Sequence, residues 1–370
     1  MYSGKNIEQL GIPDEVVITS LSEYINELSL VEASEYYFRG ENNKYSDVIA
    51  SGLRNDKFEK GEGLKFLKYI EEFYKEVAYK IDINDKKNFI CFSQHYGIPT
   101  NLVDITKNPL IALYFACEDN NEKNEYGFVY LFERNNIIDI SNYIELLDSK
   151  NLKTELSNMF MLKSSNSFMK LYTMMNALYQ KSFHKFKFYL NDIIEAYERH
   201  NLDFKSIGEE KIDIEKIKKV LEGDRKYLEE LIFDVGILKE RLGVIDIDIC
   251  DLNPLVCIYI LLIACEFRFI EEFKEPTFWI NFLPIFSYEP IVSFDRIKSQ
   301  QGLFFYQSYL QIEEEVYGSN ILARQRIWPE KVIVINNKEK ILKELDTIGI
   351  NKKSVFGDFD SIAQYIINKY

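Results

Sequence analysis

The chain has 370 residues, 46% of them hydrophobic, enough to bury a large core as one elaborated domain or two to three simple ones. Its 45 basic residues stand against 59 acidic ones, a net charge of −14, and a field of that sign repels nucleic acid and anionic membrane over most of the surface. Lysines are interleaved with acids almost everywhere, so no basic groove stands out and general nucleic-acid binding is disfavoured.

Cys91, Cys117, Cys250, Cys257 and Cys265 sit in apolar surroundings without a C-x-x-C pair, the pattern of reduced, buried thiols in a cytoplasmic protein. Three histidines without ligand-like spacing give no zinc site, and no metal is expected. The opening MYSGKNIEQLGIPDE lacks a basic start followed by an apolar run, so no signal peptide is expected. The apolar run PLVCIYILLIAC at 254–265 is shorter than the roughly 20 residues that span a bilayer, and reads as a buried helix or strand.

In chain order, Ser20 with Glu23 three residues on predicts a capping box opening a helix through about Leu28. EYYFRG then reads as a strand ending at Gly40. Apolar residues at three- and four-residue steps from Leu64 to Ile81 predict an amphipathic helix, and a second is expected from about Asp85 to Tyr96, stopped by Gly97. A polar strip follows. Asn108 caps the next helix with Pro109 in its first turn, and the apolar character of that helix all round makes it central. GFVYLF at 127–132 predicts a buried strand.

The stretch from about 140 to 245 has no proline and helical spacing such as Ile214, Ile217, Val220 and Leu221; with its surroundings to 285 it reads as a helical insertion. Strands are expected near Ile291–Ser293, at 302–306 and at 332–335, and a helix at about 338–346, before the tail SVFGDFDSIAQYIINKY. The order mixes helices and strands without regular βαβ alternation, which predicts an α+β fold: a mixed or antiparallel sheet core with flanking helices and a large helical insertion. The segments are 1–35 as a helical lead-in, 36–139 as the first part of the core, 140–285 as the insertion, and 286–370 as the second part with the C-terminal helix.

The densest chemical signal is FSQHYGIPTNLVDITKNPLIALYFAC at 92–117 together with YYFRGE at 36–41. An arginine at a strand end and a fresh helix N-terminus both hold anions, which points to a phosphate-bearing, nucleotide-type ligand. Arg39 offers a planar donor fork, and Gly40 would let a ligand approach the backbone; the alternative is a buried pair with Glu41 or Asp104. Thr106 is placed to touch a ribose or phosphate, or with Asn108 simply to cap the helix. Gln94 and His95 end a helix facing Gly97. Asp104 suits ribose hydroxyls or a pair with Arg39. His184 and His200 have no constellation around them. Asp246, Asp248 and Asp251 are the one candidate carboxylate cluster for a metal-dependent nuclease, and helix capping is their simpler role.

The FRG tripeptide at 38–40 with SQHYGIPTNLVDITKNPLIALYFA at 93–116 resembles the FRG domain. The likeness extends to Arg54 after Ser51-Gly52-Leu53, to GFVY at 127–130, to Arg296 with Gln300-Gln301-Gly302, and to the closing FGDFDSIAQYI. Asn101 stands where the family usually has arginine, and Ile105 where it usually has tryptophan. The resemblance implies a bacterial or phage protein, defence-linked or toxin-like. The arrangement is also similar to the ADP-ribosyltransferase plan, which implies a pocket for NAD as substrate. In it, Arg39 and Thr106 would be catalytic beside Gln301, where that plan has glutamate, and Gln94, His95, Thr100, Asp104, Asn108 and Arg296 would bind ligand. Glu313, Glu314 and Glu315 are a remote source of the missing acid. A non-catalytic recognition module, with the helical insertion meeting a protein partner, is the competing reading.

Overall fold

Runs of β-branched and aromatic residues form the strands, and the protein's computed structural model describes residues 13–43, 48–54, 65–118, 124–142, 156–160, 162, 164–199, 213–243, 248, 251–268, 279–291, 295–312 and 321–369. The first part of the chain holds β1 (Asp14–Ile18), α1 (Leu21–Ser29), β2 (Tyr36–Glu41), α2 (Phe66–Val77), α3 (Ile83–Lys87), α4 (Phe89–His95), β3 (Leu102–Thr106), α5 (Pro109–Cys117), β4 (Tyr126–Glu133) and β5 (Ile137–Asp139). The helical stretch holds α6 (Leu156–Met159), α7 (Ser165–Lys181), α8 (Phe183–Arg199), α9 (Ile214–Leu221), α10 (Leu228–Arg241) and α11 (Pro254–Arg268). Then come β6 (Ile285–Tyr288), α12 (Asp295–Ser299), β7 (Gly302–Tyr306), β8 (Tyr309–Ile312), β9 (Ile321–Arg324), β10 (Lys331–Asn336), α13 (Lys338–Thr347), α14 (Lys352–Phe356) and α15 (Phe359–Lys369).

Eight strands make one mixed sheet in the order β1-β10-β4-β2-β3-β7-β6-β5, and β8 and β9 pair separately. β1 runs parallel to β10 and β5 parallel to β6; the other neighbours are antiparallel. The fold is α+β. Because side chains alternate across a sheet, Phe38, Val129, Leu131, Ile333 and Ile335 share a core with α1, α5 and α13. Val103, Ile105, Phe128, Tyr130 and Val334 share another with Phe66 and Ile70 of α2 and Phe89 and Phe92 of α4.

The helical stretch leaves after β5 and returns at β6, and these strands pair at Ile137↔Ile285. Its core is continuous with Leu102, Phe286, Tyr288, Phe304 and Tyr306 of the sheet, so this insertion is built onto the sheet. The run at 254–265 is helical, and buried from Leu255 to Cys265. Among the described residues no helix is long and apolar enough to cross a membrane.

Several expectations need correction. Ser20 does accept the N–H of Glu23 at 3.3 Å, but Glu23 returns its carboxylate to the N–H of Thr19 at 2.6 Å, one residue earlier than a capping box. The helix expected over 85–96 is two, broken at Asn88, a buried residue whose side chain accepts from Tyr288. Gly97 stops the second at a φ of 83°. The polar strip is the buried strand β3: Leu102, Val103, Ile105 and Thr106 are inside, and Asp104 alone faces out. Ile291 is 83% exposed and lies outside any strand, while 292–294 fall outside the described residues.

α5 is the central helix the sequence predicts, with six of its nine residues buried. It lies so close to the sheet that a Cβ on Gly40 would meet the Ala112 carbonyl oxygen at 1.8 Å, and one on Gly127 the Ala116 oxygen at 2.0 Å. Gly40 is therefore required by helix packing, a different reason from ligand approach.

Candidate functional site

The sheet opens where β2 and β3 diverge. They pair at Phe38↔Thr106, and beyond that rung Arg39 reaches across to donate from Nη1 to the backbone carbonyl of Asp104 at 2.6 Å. Its Nε donates to Glu41 Oε1 at 2.8 Å, with the two side chains 15% and 6% exposed. The fastening role of Arg39 is thus real: it ties two splayed strands through a carboxylate and a carbonyl. Nη2 makes no hydrogen bond among the described residues, so one edge of the fork remains available.

A cleft of about 330 Å³ lies at this opening, walled by β2, β3, the end of α4, α12 and the start of β7. Arg39, Gln94, His95, Asp104, Thr106 and Arg296 all line it, so six side chains from distant parts of the chain meet there. Thr100, Asn108 and Gln301 do not line it. Gln301 sits in the turn before β7 with φ 46°, exposed, its carbonyl accepting from the N–H of Lys107; its neighbour Gln300 lines the cleft instead, and the Gln300 Nε2 is buried with no hydrogen-bond partner among the described residues.

Each polar member has a definite local setting. Gln94 donates to Asp104 Oδ1 at 3.1 Å and accepts from the hydroxyl of Thr100, which in turn accepts the N–H of Leu102 at 3.1 Å. Thr100 is fully buried and acts through Gln94. The Thr106 hydroxyl donates to the carbonyl of Gln300 at 2.7 Å and accepts from the N–H of Asn108 at 2.9 Å, while Asn108 Oδ1 accepts from Leu110. Thr106 and Asn108 therefore join β3 to the turn at 300 and cap α5; the α5 N-terminus is not part of the cleft wall. Asp104 does not pair with Arg39 through its carboxylate.

Burial and the nearby Arg296 guanidinium hold His95 below the ordinary histidine range, leaving its ring neutral at pH 7. Cys91 also lines the cleft, and burial first, then the Asp104 charge, push its thiol far above the ordinary value, so it is inert as a nucleophile. Arg296 stacks on Phe356 at 4.9 Å, and the Ser299 hydroxyl donates to the Val355 carbonyl at 2.8 Å. The FGDF segment thus supports the helix that carries Arg296. Phe38, Phe115 and Phe304 give the cleft aromatic walls.

Asn101 lies outside the cleft, 1% exposed, donating to the Gln307 carbonyl at 3.2 Å and accepting its N–H at 3.0 Å. Ile105 lines the cleft at 4% exposure, where an indole would take up part of the space. Asp251 is exposed and α11 is capped by Asn253, whose Oδ1 accepts from Leu255. No group of three or more metal-ligating side chains exists among the described residues; Asp246, His200, Cys250 and Glu313–Glu315 lie outside them. The four described cysteines are buried, and His184 is exposed on α8, away from the cleft.

The class defined so far is an α+β protein with a small-molecule-sized, partly aromatic cleft at a splayed pair of sheet strands. Residues 34–125 match the family model of the FRG domain, and the chain carries that domain. The matched segment supplies β2, α2 to α5 and five of the six predicted cleft residues; Arg296 comes from beyond it, with Gln300 and Phe304. No curated protein and no solved structure matches the chain.

Proposed function

We propose that the FRG-domain cleft binds a nucleotide-type small molecule, of which NAD is the first to test, and acts by recognition. The observation that carries this reading is the pairing of two guanidiniums, Arg39 and Arg296, with three phenylalanines in one cleft of a chain whose net charge is −14. Guanidiniums take phosphate oxygens and aromatic walls take a planar ring. Neutral His95 and the unpartnered Gln300 amide add hydrogen-bonding groups for a ribose or base.

Recognition is favoured over transfer because, among the described residues, no glutamate lines the cleft, and the carboxylate that does, Asp104, is held by Gln94. Stabilising an oxocarbenium-like transition state asks for an acid aimed at the ribose. The ADP-ribosyltransferase analogy and a defence-linked or toxin-like setting rest on resemblance alone. Contact of a protein partner with the helical insertion draws support from Phe233, 62% exposed on α10.

Calorimetric titration of the full chain with NAD and ADP-ribose, alongside a nicotinamide-release assay, tests the proposal. Saturable binding without release is expected, weakened about tenfold in Arg296→Gln. Absence of binding by either nucleotide sinks the reading, and stoichiometric or catalytic nicotinamide release replaces recognition with turnover.

A further inference from the structure

The helix α15 is seated on the protein through one side only. Ser361 is buried there, and its N–H and hydroxyl donate to the Asp358 carboxylate at 2.7 and 2.9 Å. One turn on, the Tyr365 hydroxyl donates to Asp346 Oδ1 at 2.8 Å. At the pitch of an α-helix, the side chains opposite these two are Phe359, Ala363, Ile366 and Ile367, which share an arc of about 100°. All four are exposed: Phe359 at 91%, Ile366 at 50% and Ile367 at 75%, with Ala363 between them. Single exposed apolar residues are ordinary. A whole apolar stripe turned away from the body is the face that a surface helix buries.

The stripe has an internal symmetry. Phe359 and Ile367 each lie four residues from Ala363. A second α15 laid antiparallel on the first, with a two-fold axis at Ala363, therefore sets Phe359 against Ile367 of the other copy. Ala363 then faces itself, and its small side chain lets the two helices come close where they cross. The charges obey the same symmetry. Asp360 is exposed beside the stripe, and one turn further along that flank Gln364 Oε1 accepts from Lys352 Nζ at 2.6 Å. A two-fold antiparallel pair brings like flanks together, so Asp360 of each copy comes opposite the Lys352 ammonium of the other. Chains of net charge −14 repel at long range, and these two cross-pairs give the contact local attraction.

We infer that the protein self-associates as a two-fold dimer through an antiparallel pair of α15 helices. The stripe is its own complement in size and in charge, so a second copy covers it without any other protein. The dimer also braces the cleft from behind. α15 packs on α14, and Phe356 of α14 carries the Arg296 guanidinium at 4.9 Å and meets the Phe115 ring at 5.9 Å. Self-association of this kind does not depend on what the cleft binds.

Sedimentation velocity of the full chain tests it, between about 1 and 200 µM, the range in which a small interface associates. The variants are Ile367→Lys, Asp360→Lys, Lys352→Glu and the double Asp360→Lys with Lys352→Glu, each first shown to melt like the parent. The parent is expected to pass from monomer to dimer within that range. Ile367→Lys weakens the dimer at least tenfold, each single charge reversal weakens it, and the double reversal restores it because both cross-pairs keep opposite signs. Ala363→Cys is expected to form a disulfide-linked dimer on mild oxidation, under conditions that leave the parent uncrosslinked, since the axis sets the two sulfurs together. A parent that stays monomeric throughout overturns the inference. So does a dimer that survives Ile367→Lys, which places the interface elsewhere. Failure of the double reversal to restore the dimer, or of Ala363→Cys to crosslink, overturns the antiparallel pairing about Ala363.

Discussion

Gly40 on β2 lies directly beneath Ala112 of α5, so close that a single added methyl would sit 1.8 Å from the Ala112 carbonyl oxygen. The contact carries mechanical consequence for the cleft, since Gly40 follows Arg39 and α5 follows β3. Gly40→Ala forces the helix off the sheet. The expected loss is about 3 kcal/mol or more, read as a fall in the urea midpoint. A midpoint within error of the parent would mean that α5 is not seated as described.

Arg39 and Glu41 form a pair in which the carboxylate is the more buried partner, 6% against 15% exposed. Arg39→Ala strands that charge, with an expected cost of about 3 kcal/mol. The double variant Arg39→Ala with Glu41→Gln recovers a large part of it, because the stranded charge is gone. Denaturant unfolding of the two singles and the double gives the coupling. Equal destabilisation in Arg39→Ala and in the double would show that the charge of Glu41 is not what the arginine compensates.

Much of the frame was legible in the sequence because local and tertiary signals agree. β2, β4, β7 and β10 are apolar or aromatic runs, and α5 is capped by Asn108-Pro109 and apolar on every side. β3 was hidden because Asp104 interrupts its apolar pattern, and that residue is exposed only because the strand borders a cleft. The meeting of Arg39, Gln94, His95, Asp104, Thr106 and Arg296 followed from motif and resemblance. Their bonding did not. The Thr106 hydroxyl is occupied by a carbonyl 194 residues away, and the left-handed backbone at Gln301 decides that Gln300, not Gln301, faces the cleft. Spacing along a chain carries neither fact.

Gln307 is 1% exposed and ties three segments together. Its Oε1 accepts the N–H of Ala50 at 2.8 Å, and its Nε2 donates to the carbonyls of Val48 at 3.1 Å and Gln325 at 2.8 Å. Gln307→Leu fills similar space and leaves three buried backbone groups unpaired, each costing about 1 kcal/mol or more. The variant is expected to melt well below the parent, with faster hydrogen exchange at the Ala50 amide. Unchanged exchange at that amide would place its protection elsewhere.

Asp234 on α10 is 2% exposed, and its Oδ2 has no hydrogen-bond partner among the described residues. Burial is the chief cause that pushes its carboxyl up to about 6; Lys216 opposes that shift, while Asp213 and Glu230 reinforce it. The folded protein thus holds this proton more tightly than the unfolded chain, whose aspartates titrate at about 3.9. For a carboxyl raised in this direction, folding binds a proton between the two values, so its contribution to stability falls as pH rises from about 4 through about 6 and stays low above that. Asp234→Asn removes the charge and keeps the shape. It is expected to raise stability by on the order of 1–2 kcal/mol at pH 8, and to give little or no gain at pH 4.5, where the aspartate is protonated in the fold. Thermal melts of parent and variant at the two pH values measure the difference. A gain of equal size at both would show that the effect of the substitution does not come from ionisation, and a loss at pH 8 would show that the charged carboxylate is compensated inside the helical core.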